Sequence, residues 1–162
     1  MDDRTATAKQ HARMGGQRAR YDRDLYSWAR EQAALLRAGR VSEADALNIA
    51  EELDDVGHEQ YDKLQSALRI ILLHLLKWDH QPKRRSRSWW LSISVPRKHV
   101  FRVLQKNPGL KSVRDEAVTE GYETARIEAA AQTLIDEEAF PLECLYSWKE
   151  IMERKIRMPT GP

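Results

Sequence analysis

Residues 42–78 read SEADALNIAEELDDVGHEQYDKLQSALRIILLHLLKW, and the spacing of their apolar side chains decides the fold class. Ala46, Ile49, Leu53, Val56, Gln60, Leu64, Ala67, Ile71, Leu75 and Trp78 follow one another at alternating steps of three and four. That repeat is one face of a helix turned toward a core. Between Leu68 and Leu76 the apolar residues close nearly the whole circumference, which predicts a buried central helix around residues 58–78. Ser42 with Asp45 three residues on resembles a capping box and predicts the start of the helix. One straight helix over the whole stretch would be about 55 Å long. A compact chain of this size has a radius of gyration of only about 15 Å. Glycine costs about 1 kcal/mol inside a helix, so Gly57 is the predicted point of interruption.

The flanking sequence continues in the same period. Leu25, Trp28, Gln32, Leu35 and Leu36 predict a first helix from Asp22 to Ala38, stopped by Gly39. Residues 79–88 read as a polar, basic loop. The alternation Trp89–Val95 would suit a strand, but a lone strand has no partner, so a helix capped by Ser88 is expected, with Pro96 kinking it or starting a new one. Asn107-Pro108-Gly109 is a stop. A further helix is expected over 110–136, and Ser147 with Glu150 forms a second capping box before a short last helix. The expectation is an all-α, compact bundle of five to six helices. Residues 1–20 read as a mobile basic arm, 21–157 as a single helical domain and 158–162 as a short tail.

Composition narrows the class. The chain has 162 residues, of which 41 % are hydrophobic and 32 % charged, with one cysteine. The longest apolar run, Ile70–Leu73, is far short of a membrane span. The first 20 residues are too polar for a signal peptide. Cys144 alone cannot form an intramolecular disulfide. The expected location is cytoplasmic, with no membrane partner.

A net charge of +2 conceals strong segregation. Residues 43–62 carry eight carboxylates and no Lys or Arg, residues 77–106 carry nine Lys and Arg against Asp79, and residues 115–143 carry nine carboxylates against Arg126. Charge blocks of this kind speak of partners, internal or external.

Several segments, taken in order, resemble the bacterial family known as domain of unknown function 29. They are Tyr21-Asp22-Arg23-Asp24-Leu25-Tyr26-Ser27-Trp28, Ile49-Ala50-Glu51-Glu52-Leu53, His74-Leu75-Leu76-Lys77-Trp78, Pro82 to Trp89, Asn107-Pro108-Gly109-Leu110, Tyr122-Glu123-Thr124-Ala125-Arg126, and Phe140-Pro141 through Cys144 to Tyr146-Ser147. The resemblance covers about residues 21–157. It implies an all-helical cytoplasmic protein and carries no activity with it. Val95-Pro96 departs from the family pattern, which runs there as continuous helix.

Four features are candidates for chemistry. Glu51, Asp55, His58 and Asp62 share one helix stripe at steps of four, three and four. A Glu-x-x-His site in a bundle draws ligands from several helices, and no second such motif is present, so the stripe reads as a solvated acidic face. His74 sits in the most apolar run, where a buried imidazole bonded to a carboxylate or carbonyl competes with a general base. Lys83, Arg84, Arg85 and Arg87 lie between Trp78 and Trp89-Trp90, a mixture that suits phosphate contact and base stacking. The two acidic blocks are also available to those arginines, and Arg favours bidentate carboxylates. Cys144 has no nearby base and reads as packing. No phosphate loop, dinucleotide fingerprint or metalloprotease motif occurs.

These features predict a non-catalytic interaction module whose acidic and basic helices complement one another, within the chain or between copies. The expected partner is a second copy, as a homodimer, or another protein; no cofactor or metal is expected. Nucleic-acid binding through 77–106 is the alternative, and an enzyme or metal site using Glu51 or Asp55 with His58 or His74 ranks last.

Overall fold

Asp24, rather than Asp22, caps the first helix. Its carboxylate accepts the Ser27 N–H at 3.0 Å, satisfying a donor that the first turn leaves without a backbone partner. Helix α1 runs Leu25–Arg37. It ends where Gly39 turns left-handed at φ +71°, with the Gly39 and Arg40 N–H groups folding back onto Leu36 and Leu35 carbonyls. That is the Schellman ending that glycine makes inexpensive.

The computed structural model describes residues 20–159. The arm expected over 1–20 therefore lies outside the described residues, apart from Arg20, which pairs with Glu31; the end of the expected tail is likewise outside. Helix α2 spans Ala46–His80, α3 Arg87–Lys106, α4 Arg114–Thr133 and α5 Trp148–Glu153. Short 3-10 turns join them, and no strand occurs among the described residues. The protein is all-α, as its periodicity predicts. The described residues form two compact units that divide between Gly57 and His58.

In the first unit the side chain of Asp45 is the organising group. Ser42, the expected cap, lies inside a 3-10 turn, Val41–Glu43, and Asp45 stands in the capping place before Ala46 instead. Its carboxylate accepts from the Asn48 amide at 2.7 Å and from the Asn48 N–H at 3.5 Å. The Trp28 indole also reaches it, at 3.4 Å, and Gln32 accepts the Asp45 N–H at 2.8 Å. Trp28 and Gln32 are buried, which explains why a glutamine occupies an apolar stripe. The other stripe positions are less covered than expected. Leu25, Leu36, Leu53 and Val56 are all exposed.

The predicted interruption at Gly57 is absent, since α2 is one helix from end to end. A lone glycine costs about 1 kcal/mol, and the good helix formers on both sides outweigh it. Pro96 likewise remains inside α3, which continues through it as one element rather than restarting there. Ser86, not Ser88, is the α3 cap, accepting the Trp89 N–H at 3.3 Å. Helix α4 is shorter than the expected 110–136, because Pro108–Ser112 is a 3-10 turn and Leu134 turns left-handed at φ 58°.

The second unit is built on the apolar half of α2. Leu64, Leu68, Ile71, Leu72, Leu75 and Leu76 are fully buried, together with Ile93, Val100, Phe140 and Ile151. Each such side chain contributes about 1.5–3 kcal/mol through removal from water. Helix α4 offers a seam of small residues, Ala117, Gly121, Ala125 and Ala129, all buried. A Cβ at Gly121 would stand 3.2 Å from the Arg69 N and 3.3 Å from the Gln65 carbonyl oxygen. The backbones of α2 and α4 therefore meet at that glycine, and Tyr61–Glu120 and Arg69–Glu128 bridge the same seam.

Candidate functional site

The basic–aromatic segment after α2 divides into side chains committed to packing and side chains left free. The Arg85 guanidinium lies over the Trp78 ring at 5.2 Å and its Nε donates to the Trp78 carbonyl at 2.9 Å. Lys77 reaches under the Trp89 ring at 4.6 Å and donates to Gln132 at 2.7 Å; burial pulls its ammonium below the ordinary lysine value. The Trp90 indole donates to the Ile156 carbonyl at 3.0 Å. Trp89 and Trp90 are thus half-buried and occupied. Lys83, Arg84 and Arg87 are exposed, and within residues 58–159 no carboxylate pairs with them or with Arg85.

Arg84, Arg85 and Arg87 are expected to contact carboxylates of 43–62 or 115–143, and within residues 58–159 no such contact is formed. Four of the nine carboxylates of 115–143 have nearer partners. Glu120 accepts from Tyr61, Glu128 from Arg69, Glu137 from Arg126 and Asp115 from Arg114. Arg69 lies within the apolar stretch of α2 itself, outside the basic block of 77–106.

Glu51 and Asp55 in the first unit are exposed, as are His58 and Asp62 in the second. Glu52, on the same turn of helix as Glu51, accepts the Tyr21 phenol at 2.8 Å. That hydrogen bond, with burial and the charges of Glu52, Glu51 and Asp55 behind it, pushes the phenol up to about 12. Among the described residues no group of three or more His, Cys, Asp or Glu is placed to hold a metal ion.

His74 is half-buried, with Nδ1 3.0 Å from the Ile70 carbonyl one turn back. The carbonyl can only accept, so Nδ1 carries the proton and Nε2 is the unprotonated nitrogen. Burial holds the imidazole below its ordinary value, against the opposing pull of the Ile70 carbonyl.

Two large concavities lie in the second unit. One, of about 820 Å³, is lined by Tyr122, Arg126, Cys144, Tyr146 and Trp148 among others. Three of its polar side chains already have partners. Tyr122 donates to the Pro141 carbonyl, Arg126 to Glu137 and Tyr146 to Asp79. Burial pushes the Cys144 thiol up, away from the thiolate that a nucleophile needs. The other, of about 770 Å³, runs between α3 and α5 and includes Lys98, Phe101, Arg102, Lys111, Trp148 and Met152. Neither includes His74. In the second groove Phe101 is 65 % exposed, and Lys98, Arg102 and Lys111 are exposed without a carboxylate partner in the unit.

The family model described as Domain of unknown function DUF29 matches residues 20–156. The chain belongs to the DUF29 family. No curated protein and no solved structure matches it.

In this DUF29 chain the residues that carry the family resemblance hold the fold together. Tyr21 bonds Glu52, Trp28 bonds Asp45, Asn107 closes α3 onto the Val103 carbonyl, and Tyr146 bonds Asp79. The same segments also carry exposed side chains, Leu53, Lys83, Arg84 and Arg87 among them. Leu53 and Val56 have helix-face spacing, which predicts core, yet are 65 % and 57 % exposed. Phe101 and Trp148 meet in a groove from positions 47 apart in sequence, a proximity that no local spacing encodes. The available signal was the basic block itself, since Lys98 and Arg102 fall within 77–106.

Proposed function

We propose that this protein is a non-catalytic interaction module, with an acidic, apolar helix face over residues 46–57 and a basic face running from Lys83 to Lys111. The observation that carries the reading is the charge left over after internal pairing. Lys83, Arg84, Arg87, Lys98, Arg102 and Lys111 have no carboxylate partner within their own unit. Leu47, Leu53 and Val56 stand exposed on a helix that also carries Glu51, Asp54 and Asp55. Apolar side chains beside charge of one sign are the makings of a protein-binding face.

Nucleic-acid binding is the second reading, favoured by the free Lys83, Arg84 and Arg87. The aromatics argue against it. Trp89 is already covered by Lys77 and Trp90 is tied to Ile156, so neither tryptophan beside Lys83, Arg84 and Arg87 is an open stacking platform.

One titration separates the two. The full chain is offered a fluorescent amphipathic helical peptide built of Glu, Ala and Leu, and in parallel a duplex DNA. The interaction reading expects peptide binding that weakens when Arg102 is replaced by Glu, and no comparable DNA binding. DNA affinity that falls steeply between about 50 and 200 mM salt is the signature of phosphate contact, and it would hand the site to nucleic acid.

A further inference from the structure

We propose that the partner of the basic groove is a second copy of this chain, whose residues 46–57 dock between α3 and α5; this rests on the interaction reading above and names its partner. Each chain carries two surfaces that complement each other in both polarity and charge. The first is the groove. Phe101, 65 % exposed, stands on α3 between the Lys98 and Arg102 turns, with Lys111 beside it and Trp148 and Met152 as apolar floor. Glu153 is its one lining carboxylate. Arg97 also lines the groove, but its guanidinium is spent on the Ile151, Arg154 and Glu150 carbonyls, so Lys98, Arg102 and Lys111 supply the free charge.

The second surface is the helix at 46–57. Ile49, Leu53 and Val56 succeed one another at steps of four and three, which is one stripe of a helix, and the last two are 65 % and 57 % exposed. The rest of the circumference carries Glu51, Glu52, Asp54 and Asp55, and no Lys or Arg occurs anywhere in 43–62. An amphipathic helix laid into an apolar groove is a recurrent mode of recognition, read through anchors spaced three and four apart. Cations flanking the groove favour a helix of the opposite sign and disfavour a basic one.

Because every copy carries both halves, one contact leaves a complementary pair of surfaces still open. A two-fold arrangement uses both pairs and closes the assembly.

The test is sedimentation velocity on the full chain, with charge reversals on both surfaces. At an ionic strength of about 50 mM the native protein should sediment as a dimer, weakening about tenfold or more as added salt shortens the screening length. Lys98→Glu with Arg102→Glu should give a monomer, and so should Asp54→Lys with Asp55→Lys. Mixing the two reversed proteins should restore a pair, because the reversed groove then meets a reversed helix. Phe101→Ser and Leu53→Ser, both at exposed positions, provide an uncharged version of the same test, with circular dichroism to establish that each variant is folded. A native protein that is monomeric at about 100 µM, a concentration far above the dissociation constant of a specific dimer, overturns the proposal. So does a dimer that none of these substitutions weakens. If the native chain is monomeric yet binds the acidic peptide, self-pairing fails and the interaction reading stands. If it binds neither, both fail.

Discussion

Arg154 closes on Asp79 with both arms of its guanidinium, Nη1 to Oδ2 at 2.8 Å and Nη2 to Oδ1 at 2.7 Å. The two residues lie 75 positions apart, and the Tyr146 hydroxyl donates to the same Oδ2 at 2.9 Å. Burial on its own would raise the Asp79 carboxyl. The hydrogen bonds from Arg154 and Tyr146, with the charges of Arg154 and Arg85, outweigh it and hold the group below the usual aspartate value. This contact ties the segment after α4 to the end of α2.

Asp79→Asn should therefore cost about 1–2 kcal/mol, less than a fully buried pair because both side chains keep some solvent. The pH signature fixes the cause. A folded-state value below the unfolded one means the contribution is complete at neutral pH and is lost as pH falls below about 4. Urea melts from pH 7 downward should show the native protein losing stability more steeply than Asp79→Asn in that acid range. Parallel curves would dissociate the pair from stability.

His74 carries a second pH dependence, in a different window. Burial lowers its value, so the unfolded chain takes up the proton first. Stability attributable to His74 is present above about 6.5 and declines as pH falls through the folded value. His74→Gln should flatten the decline in denaturation midpoint between about pH 7 and 5. An unchanged slope would show that His74 does not titrate differently in the two states.

Two glycines should respond oppositely to added side chains. A Cβ added at Gly57 would meet nothing within 4 Å, and the residue sits inside α2, so Gly57→Ala should stabilise by about 1 kcal/mol through helix propensity alone. A Cβ added at Gly121 would stand 3.2 Å from the α2 backbone, and backbone cannot swing aside. Gly121→Leu should cost about 2–3 kcal/mol or force α2 and α4 apart. Thermal melts of the two variants make the comparison, and a neutral Gly121→Leu would contradict the close approach.

The last helix depends on its first residue. Ser147 and Glu150 form a complete capping box, each side chain meeting the other's backbone N–H. Ser147→Ala should destabilise by about 1 kcal/mol. A double-mutant cycle with Glu150→Ala should show coupling between them, whereas additive losses would mean that the two bonds act independently.

Much of the framework was legible in the order of residues. The three-and-four spacing identified the helices, and the all-round apolar run Leu68–Leu76 identified the buried one. The capping box at Ser147 was readable because it is wholly local. Boundaries failed where neighbouring candidates compete. Asp24 displaced Asp22 and Ser86 displaced Ser88, since cap choice depends on where the preceding chain arrives. Gly57 failed for a different reason, because a local cost of about 1 kcal/mol decides nothing in a long run of helix formers. Leu53 and Val56 have the spacing of core residues, and spacing reports a face without reporting what covers it. The arginines between the tryptophans showed the limit of charge counting. The acidic block of 115–143 had partners in Arg69, Tyr61 and Arg126 that only the packed helices bring near.

Arg97 has a consequence for the order in which the chain can finish folding. Helix α5 has six residues, too few to persist alone in water. Its N-terminal end is closed by its own Ser147, but its carbonyl end is closed by Arg97, from the middle of α3. Ile151 on the same turn is fully buried, and the Ile156 carbonyl waits for Trp90. During synthesis the receiving groups on α2 and α3 leave the ribosome first and remain unsatisfied until residues 147–156 follow. The hydrophobic interior of residues 58–159 is thus sealed by a segment made after the helices it covers, and a nascent chain halted before that segment would leave this core open to water.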